Sequence, residues 1–171
     1  MSRRSLSLGG LEAAALVREF GSPLYVYEEQ VLRRRVRELR EAITYPNREI
    51  KYACKANTNV ELMRIMRDEG LGIDAVSPGE IHAALAAGFD PERILLTVNN
   101  ATPADLAYAV QRGVMVNIDS LSQLEQYGAS WPGSRVCVRI NPNVGGGHHG
   151  HVITGGPASK FGISYREGGR I

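Results

Sequence analysis

Short runs rich in Val, Ile and Leu recur along the chain, at Glu49–Cys54, Leu71–Val76, Arg93–Val98, Val114–Ile118 and Arg135–Ile140. Their starts lie roughly 20 residues apart, the length of a strand, a short loop and a helix of about 10–15 residues. Between them the apolar spacing turns helical, as in Leu62, Ile65 and Met66, which fall on one face. The punctuation agrees. Asn59 is placed to cap a helix that Gly70 stops, Pro78 and Pro103 stand at first helical positions, and Gly88 and Gly113 stand at helix ends. The pattern predicts βα repetition, and near-continuous apolar strands are the form expected of parallel strands covered by crossover helices.

Five such units, with no Gly-x-Gly-x-x-Gly after the first strand, favour an α/β fold of the (β/α) barrel type over a dinucleotide-binding sheet. A flavodoxin-like doubly wound sheet of five strands is the architectural alternative. An eightfold barrel takes about 250 residues, with about 200 near the lower limit. A chain of 171 residues is therefore expected to hold an incomplete barrel of about five to six units. Ahead of the first strand, Leu11–Phe20 reads as a helix, Gly21-Ser22-Pro23 breaks it, Leu24–Tyr27 reads as a short strand outside the barrel, and Glu28–Ile43 reads as a long amphipathic helix. The expected organisation is a helical segment with a lead-in strand over 1–45 and a partial barrel over 46–171.

Composition narrows the partners. Twenty basic and eighteen acidic residues leave a formal charge of +2, with the arginines dispersed, which argues against nucleic acid. The densest group, Arg33, Arg34, Arg35 and Arg37, alternates with apolar residues at helical spacing and reads as a solvated helix face. At 43% hydrophobic content the chain is too polar for a membrane-embedded protein, and MSRRSLSLGG lacks the apolar stretch of a secretory signal. Cys54 and Cys137 lie in separate apolar runs without a Cys-x-x-Cys partner, so buried free thiols in a reducing cytoplasm are expected rather than a disulfide or zinc site.

Candidate chemistry belongs at the carboxyl ends of the strands, where parallel barrels assemble their sites. In Ile50-Lys51-Tyr52-Ala53-Cys54-Lys55, strand alternation puts Lys51, Ala53 and Lys55 on one face, with Lys51 at the amino end and Lys55 at the exit. A partly desolvated amine at that exit could condense with an aldehyde; position alone fits an ordinary solvated lysine at least as well. Asp74, at the next strand exit, is either a polar partner near Lys55 or a helix N-terminal or loop-capping carboxylate. Arg139 ends the fifth strand and suits a site role.

The surrounding residues add a resemblance. Tyr52-Ala53-Cys54-Lys55-Ala56-Asn57 resembles the Tyr-Ala-x-Lys-Ala-Asn motif of fold-type III pyridoxal-phosphate enzymes, in which that lysine carries the cofactor. Phe20-Gly21-Ser22-Pro23-Leu24-Tyr25-Val26-Tyr27 looks like the lead-in strand of that family, and Asp74-Ala75-Val76-Ser77-Pro78-Gly79-Glu80 resembles its Asp-x-x-Ser-x-Gly-Glu segment. Arg139-Ile140-Asn141-Pro142, followed by His149, Thr154-Gly155 and Ser159-Lys160-Phe161-Gly162, is similar to diaminopimelate decarboxylases. The four motifs stand in family order between Phe20 and Ile163.

The resemblance implies the amino-terminal part of a carboxy-lyase with a barrel of the alanine racemase-like type. It implies pyridoxal 5'-phosphate as cofactor and conversion of meso-diaminopimelate to L-lysine in lysine biosynthesis. Lys55 would be catalytic and cofactor-bearing, with Asp74, Arg139 and His149 as further cofactor-binding residues. Its partner would be a small amino-acid substrate, with no nucleic acid and no membrane, in a cytoplasmic homodimer. Three histidines within four positions, His148, His149 and His151, could suggest metal, but flanking glycines suit a mobile loop over the site mouth better. The family's phosphate cradle, cofactor-stacking histidine and carboxyl-terminal β domain have no counterpart in the sequence, so the polypeptide alone is expected to be inactive and poorly stable. Three alternatives stay open: a sibling decarboxylase of ornithine, lysine, arginine or D-amino acids; a non-catalytic pyridoxal-phosphate-binding barrel; and a truncated gene product.

Overall fold

The computed structural model describes residues 6–146, 149 and 153–171 and divides into two compact units, Met1–Arg48 and Glu49–Ile171. In the first unit, β1 (Ser7–Leu8) pairs antiparallel with β2 (Leu11–Glu12), followed by α1 (Ala13–Phe20) and α2 (Glu29–Ala42). The helix expected from Leu11 starts at Ala13 because Leu11 and Glu12 are taken up by the ladder. The strand expected at Leu24–Tyr27 does not form. A strand exists only where a neighbour takes its backbone hydrogen bonds, and these residues have no ladder partner among the described residues. On α2 the arginines form a solvated face, with Arg33 paired to Glu29 and both Arg34 and Arg35 paired to Glu38. Such helix-surface pairs contribute about 0.3–0.5 kcal/mol each.

The second unit alternates strand and helix: β3 (Lys51–Ala53), α3 (Val60–Asp68), β4 (Gly72–Ala75), α4 (Pro78–Ala86), β5 (Ile94–Thr97), α5 (Pro103–Gln111), β6 (Met115–Ile118), α6 (Leu121–Ser130) and β7 (Cys137–Val138). The strands pair in parallel in the order β3-β4-β5-β6-β7. Every strand lies beside the next in sequence. A flavodoxin-like sheet reverses its order at a switch point; this one does not, so it curves in one sense as a barrel wall does. Beyond it, β8 (Ile140–Asn141) pairs in parallel with β9 (Ile163–Ser164). Arg139 joins the two sheets: its N–H donates to the Ile118 carbonyl and its carbonyl accepts the Ile163 N–H, both at 2.8 Å. β9 thereby supplies a sixth strand, and the fold is an incomplete (β/α) barrel.

Local chemistry explains the helix starts. Asn59, Ser77, Thr102 and Ser120 each accept a backbone N–H at a helix start, and Thr102 and Asp105 form a reciprocal capping box. Caps of this kind contribute about 1 kcal/mol each. Register then sorts the strand residues. Ile73, Ala75, Ile94, Leu96, Val116 and Ile118 face the helices and are at most 1% exposed, together with Met63, Ile81 and Leu106; each large side chain contributes about 1.5–3 kcal/mol by burial. The opposite, barrel-side face carries Ala53, Asp74, Leu95 and Met115 in one row and Thr97, Asn117 and Cys137 in the next. These residues are half-buried, except Cys137, which is exposed. The buried thiol expected at 137 is therefore not found, because register places it on the barrel side, opposite the face that packs on the helices.

The amino end of the sheet is structural. Lys51 Nζ donates to Glu49 Oε1 at 3.0 Å and to the Arg93 carbonyl at 3.1 Å. The neighbouring Gly72 leaves room for this: a Cβ there would lie 2.5 Å from the Arg93 carbonyl oxygen and 3.0 Å from Lys51 Nζ.

Candidate active site at the strand exits

β3 ends at Ala53 and passes directly into a 3₁₀ turn, Cys54–Ala56. Strand alternation therefore stops short of Lys55, which does not share a strand face with Lys51 and Ala53 as the sequence pattern suggested. The turn is closed by its own neighbours: the Asn57 N–H donates to the Cys54 carbonyl and the Tyr52 hydroxyl donates to the Asn57 carbonyl, both at 3.0 Å. This separates two adjacent side chains, since Cys54 is 0% exposed and Lys55 is exposed. The partial desolvation expected for Lys55 is absent, because the turn lifts it out of the strand.

Asp74 lies on β4 directly opposite Ala53, so Lys55 and Asp74 belong to neighbouring strand exits. Its Oδ1 is buried and has no hydrogen-bond partner among the described residues. An unsatisfied buried polar atom costs about 1–3 kcal/mol, so a native protein that retains one invites a functional explanation. An exposed amine at one strand exit and a carboxylate with a spare buried acceptor at the next can bind an aldehyde through the amine and a donor group through the acid. These residues fit a cofactor carrying both.

Arg139 forms a second group. Its Nη1 lies 3.6 Å from Asp119 Oδ1, and its Cζ sits 4.5 Å from the centroid of the Phe161 ring. Asp119 directly follows β6, its side chain is 5% exposed, and its N–H donates to Gln123 Oε1 at 3.2 Å. Arg139 is thus joined to the neighbouring strand exit rather than to Asp74 or Lys55, with β5 lying between the two groups. Gly162 allows this junction: at φ 79°, a Cβ there would lie 2.9 Å from the Asn141 nitrogen.

His149 is exposed. The positions around it, 147, 148 and 150–152, lie outside the described residues, and with them the expectations for His148, His151 and a loop over the site mouth. The base of that segment is described. Asn141 Oδ1 accepts the N–H groups of Asn143 at 2.9 Å and Gly156 at 3.1 Å, while its Nδ2 donates to the Gly156 carbonyl at 3.0 Å. Among the described residues no group of three or more His, Cys, Asp or Glu side chains is arranged to hold a metal ion.

Four residues at this end were given no site role by the sequence, although three of them lie in its motifs: Glu80, Asn141 and Phe161, with Asp119 as the fourth. Asp119 carried a signal, since like Asp74 it is a carboxylate at the end of an apolar run and ahead of a capped helix. Glu80 also carried one, standing three residues after Ser77 at capping-box spacing. Its carboxylate, however, takes the Val76 N–H at 2.8 Å and the Cys54 thiol at 3.1 Å.

Residues 29–170 match the family model described as pyridoxal-dependent decarboxylase, pyridoxal binding domain. The diaminopimelate decarboxylase of Methanothermobacter thermautotrophicus is 52% identical over 165 residues, covering 95% of this chain and 39% of that protein. That of Streptomyces coelicolor is 40% identical over 161 residues, covering 92% and 36%. Among solved structures, diaminopimelate decarboxylase from Helicobacter pylori complexed with L-lysine aligns with a TM-score of 0.83 at 29% identity, over 91% of this chain and 41% of that one. The chain spans about two fifths of the length of the curated relatives it matches.

Proposed function

The chain belongs to the pyridoxal-dependent decarboxylases, as their pyridoxal binding domain, and from that premise we propose that it supplies the cofactor-bearing part of an enzyme converting meso-diaminopimelate to L-lysine. The observation that carries this reading is that adjacent strand exits hold an exposed lysine and a buried carboxylate oxygen with no hydrogen-bond partner among the described residues.

Residues 46–171 make up the cofactor-binding partial barrel in this reading, and 1–45 the segment leading into it. When bound here, pyridoxal 5'-phosphate supplies an aldehyde for the lysine amine and a ring able to accept the electron pair left when a carboxylate departs as carbon dioxide. Lys55 provides the amine. Asp74 offers Oδ1 to a protonated group beside it, holding the amine or a ring nitrogen in place by a charge-assisted hydrogen bond. Arg139, held between Asp119 and the Phe161 ring, presents a fixed cation at the same end of the barrel, where an anionic group would be oriented. His149 contributes a further donor or acceptor.

A small amino-acid substrate fits the near-neutral, dispersed charge better than nucleic acid does. No helix among the described residues is long and apolar enough to cross a membrane, and we place the protein in the cytoplasm. We take the working enzyme to be a homodimer, as the family resemblance implies.

The test is product analysis of the full-length protein with cofactor, offering meso-diaminopimelate, ornithine, lysine and arginine separately. Carbon dioxide and L-lysine from meso-diaminopimelate at the highest kcat/KM are expected. A preference for another amino acid would move the protein to a sibling enzyme, and no release from any of the four would leave a binding protein.

A further inference from the structure

The residue before the candidate amine is held by contacts that the reading above leaves unused. Cys54 is fully enclosed. Its Sγ lies 3.1 Å from Glu80 Oε2 and 3.4 Å from the Asp74 carbonyl oxygen. The same Glu80 oxygen accepts the Val76 N–H at 2.8 Å, and the Ser77 hydroxyl accepts the Glu80 N–H at 3.2 Å, which seats the carboxylate over the start of α4. One oxygen therefore collects a donor from the turn after β3 and another from the backbone after β4. These are the two strand exits that carry Lys55 and Asp74. The link needs the thiol proton, because a thiolate has nothing to donate and would face a carboxylate. Burial first, and then the Glu80 hydrogen bond and charge, raise the thiol's pKa far above its ordinary range, so the proton stays.

We propose that the Cys54–Glu80 hydrogen bond is a positioning device for the reaction centre, fixing the 3₁₀ turn that presents Lys55 against the strand exit that carries Asp74. Cys54 occupies the variable position of the Tyr-Ala-x-Lys motif, so the family pattern does not require it. The arrangement also turns a competing nucleophile inward. A free thiolate one residue from the amine would itself attack an aldehyde; a buried, protonated thiol does not. The inference rests on the reading of Lys55 as the cofactor residue.

The test uses the full-length protein carrying Cys54→Ala, Cys54→Ser or Glu80→Gln. Each is incubated with pyridoxal 5'-phosphate and reduced with borohydride, and the modified lysine is quantified by mass spectrometry. A parallel pH titration follows the visible absorbance of the bound cofactor. Loss of one net hydrogen bond predicts about fivefold less cofactor retained at Lys55 in Cys54→Ala, with a displaced absorbance midpoint. Cys54→Ser keeps a donor and should recover most of both. Glu80→Gln keeps an acceptor but loses the charge, and should fall between them; it reads the same contact if Cys54→Ala fails to fold. Unchanged retention and midpoint in folded Cys54→Ala, or in Glu80→Gln if only that variant folds, would overturn the proposal alone. No modification of Lys55 in the parent protein would overturn the underlying reading as well.

Discussion

Asp74 gives the sharpest separation of stability from function. Replacing it with leucine keeps the branching of the side chain while removing the buried oxygen that has no hydrogen-bond partner among the described residues. If that oxygen is held in reserve for a ligand, the cofactor-free protein is being destabilised by it, by about 1–3 kcal/mol. At about 2–4 °C per kcal/mol for a domain of this size, Asp74→Leu should raise the melting temperature of the cofactor-free protein by roughly 2–12 °C. The same change removes an acceptor for a charged donor, so cofactor affinity should fall by roughly ten- to hundredfold. Asp74→Asn, which retains one acceptor oxygen, should lie between the two. Differential scanning fluorimetry without cofactor and absorbance titration with it measure the two effects on one preparation. A lower melting temperature in Asp74→Leu, or unchanged affinity, would refute the reasoning, since the oxygen would then be satisfied in the native protein or irrelevant to the ligand.

Other expected outcomes follow from neighbouring contacts. Asp119→Ala strips the partner from Arg139; full burial of such a pair would make this cost about 3–5 kcal/mol. Because the arginine side chain is 28% exposed, about 1–3 kcal/mol is the figure to look for in urea unfolding. Gly72→Ala should lower the melting temperature by several degrees, since the new Cβ would meet the Arg93 carbonyl at 2.5 Å. Burial, the Glu80 hydrogen bond and charge, and the charge of Asp74 raise the Cys54 thiol above its usual 9.0. The folded protein then keeps a proton that the unfolded chain loses. This contribution is complete below about pH 9 and declines by about 1.4 kcal/mol per unit above it. Urea unfolding between about pH 8 and about pH 10 should show that decline in the parent and not in Cys54→Ala. The 171-residue polypeptide by itself should release no carbon dioxide from meso-diaminopimelate in a manometric or coupled assay.

The strands and helices of the second unit could be read from the chain because period and punctuation agreed. Ile73, Ile94, Leu96 and Val116 lie in apolar runs, and Asn59, Ser77, Thr102 and Ser120 stop each loop with a side-chain cap. The absence of a Gly-x-Gly-x-x-Gly segment and the motif resemblance favoured the barrel, but period and punctuation alone left a doubly wound sheet as the alternative. The choice depends on which edges pair, and the sequential order of β3 to β7 bears out the barrel. Leu24–Tyr27 failed for a related reason, since a β-favouring composition does not provide a pairing partner. Cys137 failed because an apolar run does not tell the helix-covered face from the open one.

At the site, motif residues put forward Lys55, Asp74, Arg139 and His149 as candidates, but alternation misplaced Lys55 because it cannot foresee that β3 ends at Ala53. Asp119 and Glu80 act through partners 20 or more residues away, Arg139 and Cys54. Spacing along the chain carries no record of such contacts.

Everything functional rests on Lys55 being the residue that takes the cofactor. Borohydride reduction of the full-length protein with pyridoxal 5'-phosphate, followed by peptide mass spectrometry of the parent and Lys55→Ala, addresses this directly. The cofactor's mass is expected on the peptide containing Lys55 in the parent and on no lysine in the variant. A modified Lys51 or Lys160, or cofactor retained covalently by Lys55→Ala, would contradict it.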